Sequence, residues 1–152
     1  MSNKLEEGQS APDFSLPSHT GEIVKLSDFI DKNVIVLYFY PKDFTPGCTT
    51  EACTFRDNFE DFKDLGAVVI GISSDSVESH EKFVLKYNLP FILLSDKDHK
   101  VRESYGATRF GGLPARTTYV IDKKSVIRMI FESSNAKEHI EEAKKIVRLL
   151  SQ

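Results

Sequence analysis

Cys48 and Cys53 are the two cysteines of a 152-residue chain, and five positions separate them. A zinc site built from cysteine alone needs four ligands. The four histidines, His19, His80, His99 and His139, show no metal-ligand spacing with the cysteines, so no metal or other cofactor is expected. The N-terminal Met-Ser-Asn-Lys-Leu-Glu-Glu lacks the apolar stretch of a secretory signal. A cytoplasmic location is expected, and there a lone structural disulfide is disfavoured. Two readings remain for the thiols: an inert buried pair, or a functional pair whose thiolate acts as nucleophile.

The position of Cys48 bears on that choice. Thr45 is a candidate N-cap, and Pro46 suits the first position of a helix because its missing N–H would have no intrahelical partner there. The helix is expected over Pro46–Asp64, ended by Gly66, with Ala52, Phe55, Phe59 and Phe62 as its apolar stripe. Cys48 is then the third helical residue, where free backbone N–H groups and the helix dipole favour an anion. A free thiol of pKa ~8.5 is only about 3% thiolate at pH 7, and such surroundings favour the thiolate. Nucleophilicity falls as pKa falls, so ionisation alone does not make a fast enzyme. The site must also stabilise the departing group.

At about 100° per residue Cys48 lies in line with the apolar stripe, whereas Cys53 falls at about 140°, on the polar side between Asp57 and Glu60. Five residues of helix place the two Cα atoms roughly 8.7 Å apart, beyond the about 4.4–6.8 Å of a disulfide. The two cysteines can bond only if the segment Cys48–Cys53 unwinds.

Other elements must hold this helix in place. Residues Ala11–Ile30 carry two short apolar runs around a turn at Pro17–Gly21, the pattern of a β-hairpin. Asn33–Tyr40 is a continuous apolar run closed by Pro41, expected as a strand buried on both faces. Ala67–Ile72 is a second buried strand. Ser73–Ser76 offers caps for a helix with stripe Val77, His80, Val84 and Tyr87, stopped by Asn88 and Pro90. Phe91–Leu94 is a short strand, Asp98–Tyr105 one or two helical turns, and Gly106–Pro114 a loop containing Gly111-Gly112. Thr117–Ile121 and Val126–Phe131 are strands joined at Asp122–Ser125. A last helix begins near Asn135, with Glu138 in the capping-box position and stripe Ile140, Ala143, Val147 and Leu150. The expected fold class is α/β: one domain over residues 1–152, thioredoxin-like, with an N-terminal β-hairpin extension and a central mixed sheet flanked by helices.

Composition excludes several function classes. The 20 Lys and Arg are mixed among 23 Asp and Glu, for a net charge of −3, with no basic stripe for a nucleic acid. The longest apolar run, Val34–Tyr40, is far short of the roughly 20 residues of a membrane span. Apolar residues at 40%, with 11 Phe and 5 Tyr, are enough for a packed core.

The segment Pro41-Lys42-Asp43-Phe44-Thr45-Pro46-Gly47-Cys48-Thr49-Thr50-Glu51 resembles the active-site loop of the peroxiredoxins. Its Pro, Thr and Cys stand at the spacing of that family. Thr-Pro-Gly-Cys-Thr with a second cysteine five residues on is similar to the bacterioferritin-comigratory (PrxQ) subfamily. The likeness continues through Ser73-Ser74-Asp75-Ser76, Leu94-Ser95-Asp96 and Arg116-Thr117-Thr118-Tyr119-Val120-Ile121-Asp122, and so spans most of the chain.

The resemblance implies a peroxidase acting on hydrogen peroxide and alkyl hydroperoxides. Cys48 matches the peroxidatic cysteine, oxidised to a sulfenic acid. Thr45 matches the threonine whose hydroxyl bonds peroxide and thiolate. Arg116 matches the arginine that holds the thiolate ionised and stabilises the departing oxygen. Pro41 matches the proline that shields the thiolate from water. Glu51 takes the place of a residue that positions an arginine. Cys53 matches the resolving cysteine, forming a disulfide that a thioredoxin-like or other dithiol reduces. A monomer or weak homodimer is expected, with no nucleic acid or membrane partner.

Two other functions fit the same fold. A thiol–disulfide oxidoreductase of thioredoxin type carries Cys-x-x-Cys and a proline directly before the facing strand. Here four residues intervene between the cysteines, Pro114 comes too early, and Thr117 takes the proline's place. A non-enzymatic holdase would leave the loop motif without purpose. His80, on an apolar stripe, reads as a packed core residue.

Overall fold

The computed structural model describes residues 5–108 and 115–151. The expected Gly111-Gly112 loop and Pro114 lie outside them. The run Val34–Phe39 forms β3, with all six residues buried. Side chains alternate along a strand, so the run divides between two cores. Val34, Val36, Tyr38 and Tyr40 join one cluster together with Cys48. Ile35, Leu37 and Phe39 join the other, with Phe14, Tyr105 and Tyr119. This is why the sequence shows an unbroken apolar run here: both faces are covered.

Before β3, Ser15–Pro17 (β1) and Ile23–Lys25 (β2) make the expected antiparallel hairpin. A 3-10 turn at Leu26–Phe29 follows and buries Leu26. After β3 come helices α1 (Pro46–Asp57) and α2 (Phe59–Asp64), strand β4 (Ala67–Ser73), helix α3 (Val77–Tyr87), β5 (Ile92–Ser95), α4 (Lys100–Tyr105), β6 (Thr117–Ile121), β7 (Ile127–Glu132) and α5 (Ala136–Leu150). The five strands of the main sheet are ordered β5-β4-β3-β6-β7. β3 is parallel to β4 and β4 to β5, while β6 is antiparallel to both β3 and β7. The sheet is therefore mixed and flanked by helices, as expected.

One element differs. The single helix expected over Pro46–Asp64 is two helices, broken at Asn58 (φ −107°, ψ 8°). The side chain of Asn58 donates to Thr54 O at 2.8 Å, and Lys144 Nζ of α5 lies 2.5 Å from Asn58 Oδ1 and 2.9 Å from Asp61 Oδ2. Asn competes for backbone partners in this way, and the ammonium from α5 holds the break. The apolar stripe continues across it: Ala52, Phe55 and Phe62 are buried and Phe59 partly so.

Gly71 of β4 lies opposite Tyr38 of β3. A Cβ there would stand 2.8 Å from both the Tyr38 ring and Leu93. Only glycine lets Tyr38 lie across β4, and its ring stacks on Phe55 of α1 at 4.6 Å. That stack seats α1 on the sheet. No helix among the described residues is long and apolar enough to cross a membrane.

Candidate active site

β3 ends at Phe39, and its partner β6 begins at Thr117, paired with that same residue. Antiparallel register thus brings Arg116, just before β6, to the end of β3 from which the loop to α1 departs. Clefts beyond the carboxyl ends of sheet strands are common ligand sites in α/β folds.

Cys48 is the third residue of α1 and only 1% exposed. Arg116 donates from Nη2 to its Sγ at 3.4 Å and from Nη1 to Glu51 Oε1 at 2.5 Å. Glu51 is one turn beyond Cys48 on the buried side of α1 and fully buried. Burial pushes its carboxyl up to about 8, against the pull of Arg116. For Arg116, burial works against the charge, but Glu51 and the Cys48 sulfur more than offset it, and its pKa is raised. A guanidinium fixed at one end by a buried carboxyl presents its other end to sulfur in one orientation. The structure thus brings Cys48, Glu51 and Arg116 together.

Thr45 sits in the N-cap position with extended backbone (φ −77°, ψ 152°), yet its side chain caps nothing. Its hydroxyl donates instead to Lys42 O at 2.8 Å. This corrects one expectation: Thr45 is not a side-chain cap. With its proton on Lys42 O, the hydroxyl keeps lone pairs that can accept a hydrogen bond. Pro41 is half-buried at the start of the same loop.

Cys53 is on α1 as well and half-buried, less outward than the polar face predicted. Both thiols are free, and the intact helix separates them.

His139 is a residue that the sequence pattern did not single out. It is fully buried on α5, its Nε2 donating to Ser133 O at 2.8 Å while Thr118 Oγ1 lies 2.7 Å from Nδ1. A carbonyl only accepts, so Nε2 carries the hydrogen and the Thr118 hydroxyl donates to Nδ1. Burial lowers its pKa, consistent with a neutral ring. Its Nδ1 is 3.8 Å from Glu51 Oε2, a buried oxygen without a hydrogen-bond partner among the described residues. A signal for it exists in the sequence: His139 stands four residues before Ala143 and eight before Val147, in the buried stripe. His80, read as a packed core residue, is fully buried, and it also binds Asp43 of the loop between β3 and α1.

A family model described as the AhpC/TSA family matches residues 8–130. Peroxiredoxin Q of Populus jackii, a chloroplastic protein, is 48% identical over 150 residues, which cover 97% of this chain and 70% of the relative. Peroxiredoxin Bcp of Bacillus subtilis is 47% identical over 156 residues, covering 97% and 98%. Among solved structures, peroxidoxin BcpB of Mycobacterium tuberculosis superposes with a TM-score of 0.90 at 35% identity, covering 96% of this chain and 98% of that one. Xanthomonas campestris peroxiredoxin Q superposes with a TM-score of 0.85 at 27% identity, covering 91% and 92%. With the family match spanning most of the sheet and the Bcp likeness running the length of both chains, the protein belongs to the AhpC/TSA family, as a peroxiredoxin of the PrxQ/Bcp type.

Proposed function

We propose that this thiol-dependent peroxidase uses Cys48 as the attacking sulfur and Cys53 as the resolving one. The Cys48 thiolate attacks one peroxide oxygen. The S–O bond forms, the O–O bond breaks, and the departing oxygen takes a proton to leave as water or alcohol, giving the sulfenic acid. Cys53 then attacks that sulfur. The S–S bond forms, the S–O bond breaks, and water leaves. An external dithiol of thioredoxin type returns both cysteines to thiols by exchange.

The geometry and the family likeness support a role for each neighbouring residue. Arg116 stabilises the thiolate and the negative charge that grows on the departing oxygen. Glu51 fixes the guanidinium. Thr45 accepts the peroxide's hydrogen and so orients it. Pro41 limits access of water to the sulfur. Hydrogen peroxide and alkyl hydroperoxides are the substrates in this reading. The protein works as a monomer or weak homodimer in the cytoplasm, where dithiol reductants are available. The observation that carries the reading is the Arg116 fork, bonded at once to Glu51 Oε1 and Cys48 Sγ.

Intact mass after one equivalent of hydrogen peroxide tests it. The protein should lose two hydrogens without dimerising, and a Cys53→Ser variant should instead stop at added oxygens. Continued peroxide consumption by Cys48→Ser with a thioredoxin reducing system would overturn the assignment.

A further inference from the structure

The loop between β3 and α1 is tied to α3 by a buried polar cluster outside the thiol site. Asp43, 4% exposed, lies two residues before Thr45. Tyr40 Oη donates to its Oδ1 at 2.6 Å, and Ser79 Oγ donates to Oδ2 at 2.8 Å. His80 Nδ1 lies 2.7 Å from the same Oδ2, within hydrogen-bond distance. His80 Nε2 donates to Leu94 O at 3.0 Å. Asp75 completes the cluster: its Oδ2 accepts from Asp43 N at 2.8 Å and from Ser73 Oγ at 2.6 Å.

Ligand atoms of Asp43, Asp75 and His80 lie within 4.8 Å of one another, a spacing that suits a metal. The hydrogen bonds argue against one. Both His80 nitrogens and both Asp43 oxygens are already engaged, and a cation would have to displace those partners.

A different role follows from one peptide group. The amide joining Lys42 to Asp43 is held at both ends: its N–H donates to Asp75 Oδ2, and its C=O accepts the Thr45 hydroxyl. The next residue, Phe44, has φ +66°, a left-handed conformation that a bulky side chain rarely adopts. Such strain persists only where the surroundings over-determine it. The Asp43 cluster holds one side of it, and the Phe44 ring packs edge-on against Phe83 of α3 at 5.0 Å. The orientation of the Thr45 hydroxyl is therefore set from α3 and the β4–α3 turn rather than from α1.

We propose that Asp43 and Asp75 are positioning residues for peroxide reduction. Through the Lys42–Asp43 peptide they keep the Thr45 hydroxyl proton on Lys42 O and its lone pairs toward the incoming peroxide. The proposal rests on the reading of Thr45 as the peroxide's partner. Neither carboxylate is among the groups bonded to the Cys48 sulfur, so both act on the peroxide step and leave thiolate formation to Arg116.

The test measures oxidation of Cys48 by hydrogen peroxide, by rapid quench and mass, in a Cys53→Ser background that isolates the first step. Asp75→Asn, at a half-buried position, is the variant least at risk of unfolding, and Asp43→Asn is the stronger one. Each should slow oxidation about tenfold per folded molecule, while the pH profile of Cys48 alkylation by iodoacetamide stays that of the parent. Combined with Thr45→Val, neither should add a further loss beyond about twofold. If Thr45→Val is slow but both Asp variants react at the parental rate, the proposal fails and the reading of Thr45 stands. If Thr45→Val itself costs nothing, that reading falls and the proposal with it. Losses that multiply in the double variants, or alkylation slowed in parallel with oxidation, would place the effect elsewhere and overturn the route through Thr45.

Discussion

Arg116 and Cys48, 68 positions apart in the chain, meet at 3.4 Å between Nη2 and Sγ. The contact depends on the antiparallel pairing of β6 with β3, and on Glu51 holding the other side of the guanidinium. Three expectations follow from this arrangement and from the helix that carries the sulfur.

Gly47 stands where an added Cβ would meet Arg116 Nη2 at 3.0 Å. Alanine is a better helix former than glycine by roughly 0.5–1 kcal/mol, so Gly47→Ala should leave the melting temperature unchanged or raised. It should also displace the guanidinium by a few tenths of an ångström and slow peroxide reduction about three- to tenfold. Steady-state kinetics beside thermal denaturation decides this. A stabilised variant with parental kcat/KM would show that the fork has room to spare.

Glu51 makes stability depend on pH. Burial raises its carboxyl from 4.5 to about 8 in the folded protein. Between those values the unfolded chain has released the proton and the folded protein still holds it, so the folded state binds more protons. Stability contributed by this group is full below pH 4.5 and is lost as pH rises toward 8, with a limiting slope of about 1.4 kcal/mol per pH unit for one proton. In Glu51→Gln this fall should vanish. Urea denaturation of both proteins at about pH 5 and about pH 8 measures it. An identical fall in the variant would assign the slope to another group.

Oxidation should open α1. Cys48 and Cys53 share this helix, and helical spacing leaves their Cα atoms roughly 8.7 Å apart, too far for a disulfide. The disulfide form should lose its helical circular-dichroism signal in part and recover it on reduction. Amide exchange should quicken within Pro46–Asp57 while α2 stays protected, because Lys144 holds Asn58 and Asp61 from α5. Unchanged helicity in a disulfide form verified by mass would contradict the spacing argument.

The features legible in the sequence were those written in local spacing. The start of α1 at Pro46, the placing of Cys48 as its third residue, and the order of strands and helices all follow from short-range patterns. Caps, turns and apolar periodicity act within a few residues and leave their marks there. The break at Asn58 escapes such a reading because the apolar stripe runs through it, and the lysine that holds it comes from α5. Thr45 suits capping by residue type, whereas its hydroxyl binds a carbonyl three residues back.

By itself the sequence determined which sulfur begins a helix, which lies five residues on, and that the two cannot bond while the helix lasts. Tertiary structure alone decided what surrounds that sulfur. Arg116 reaches it through strand register, Glu51 loses its water beneath α5, His139 fills the space beside Glu51, and Asp43 is pinned by Tyr40, Ser79 and His80. The physical reason is range: the helical and strand periodicities report on a residue's neighbours along one element. Charge pairing and desolvation depend on which elements the sheet order brings together.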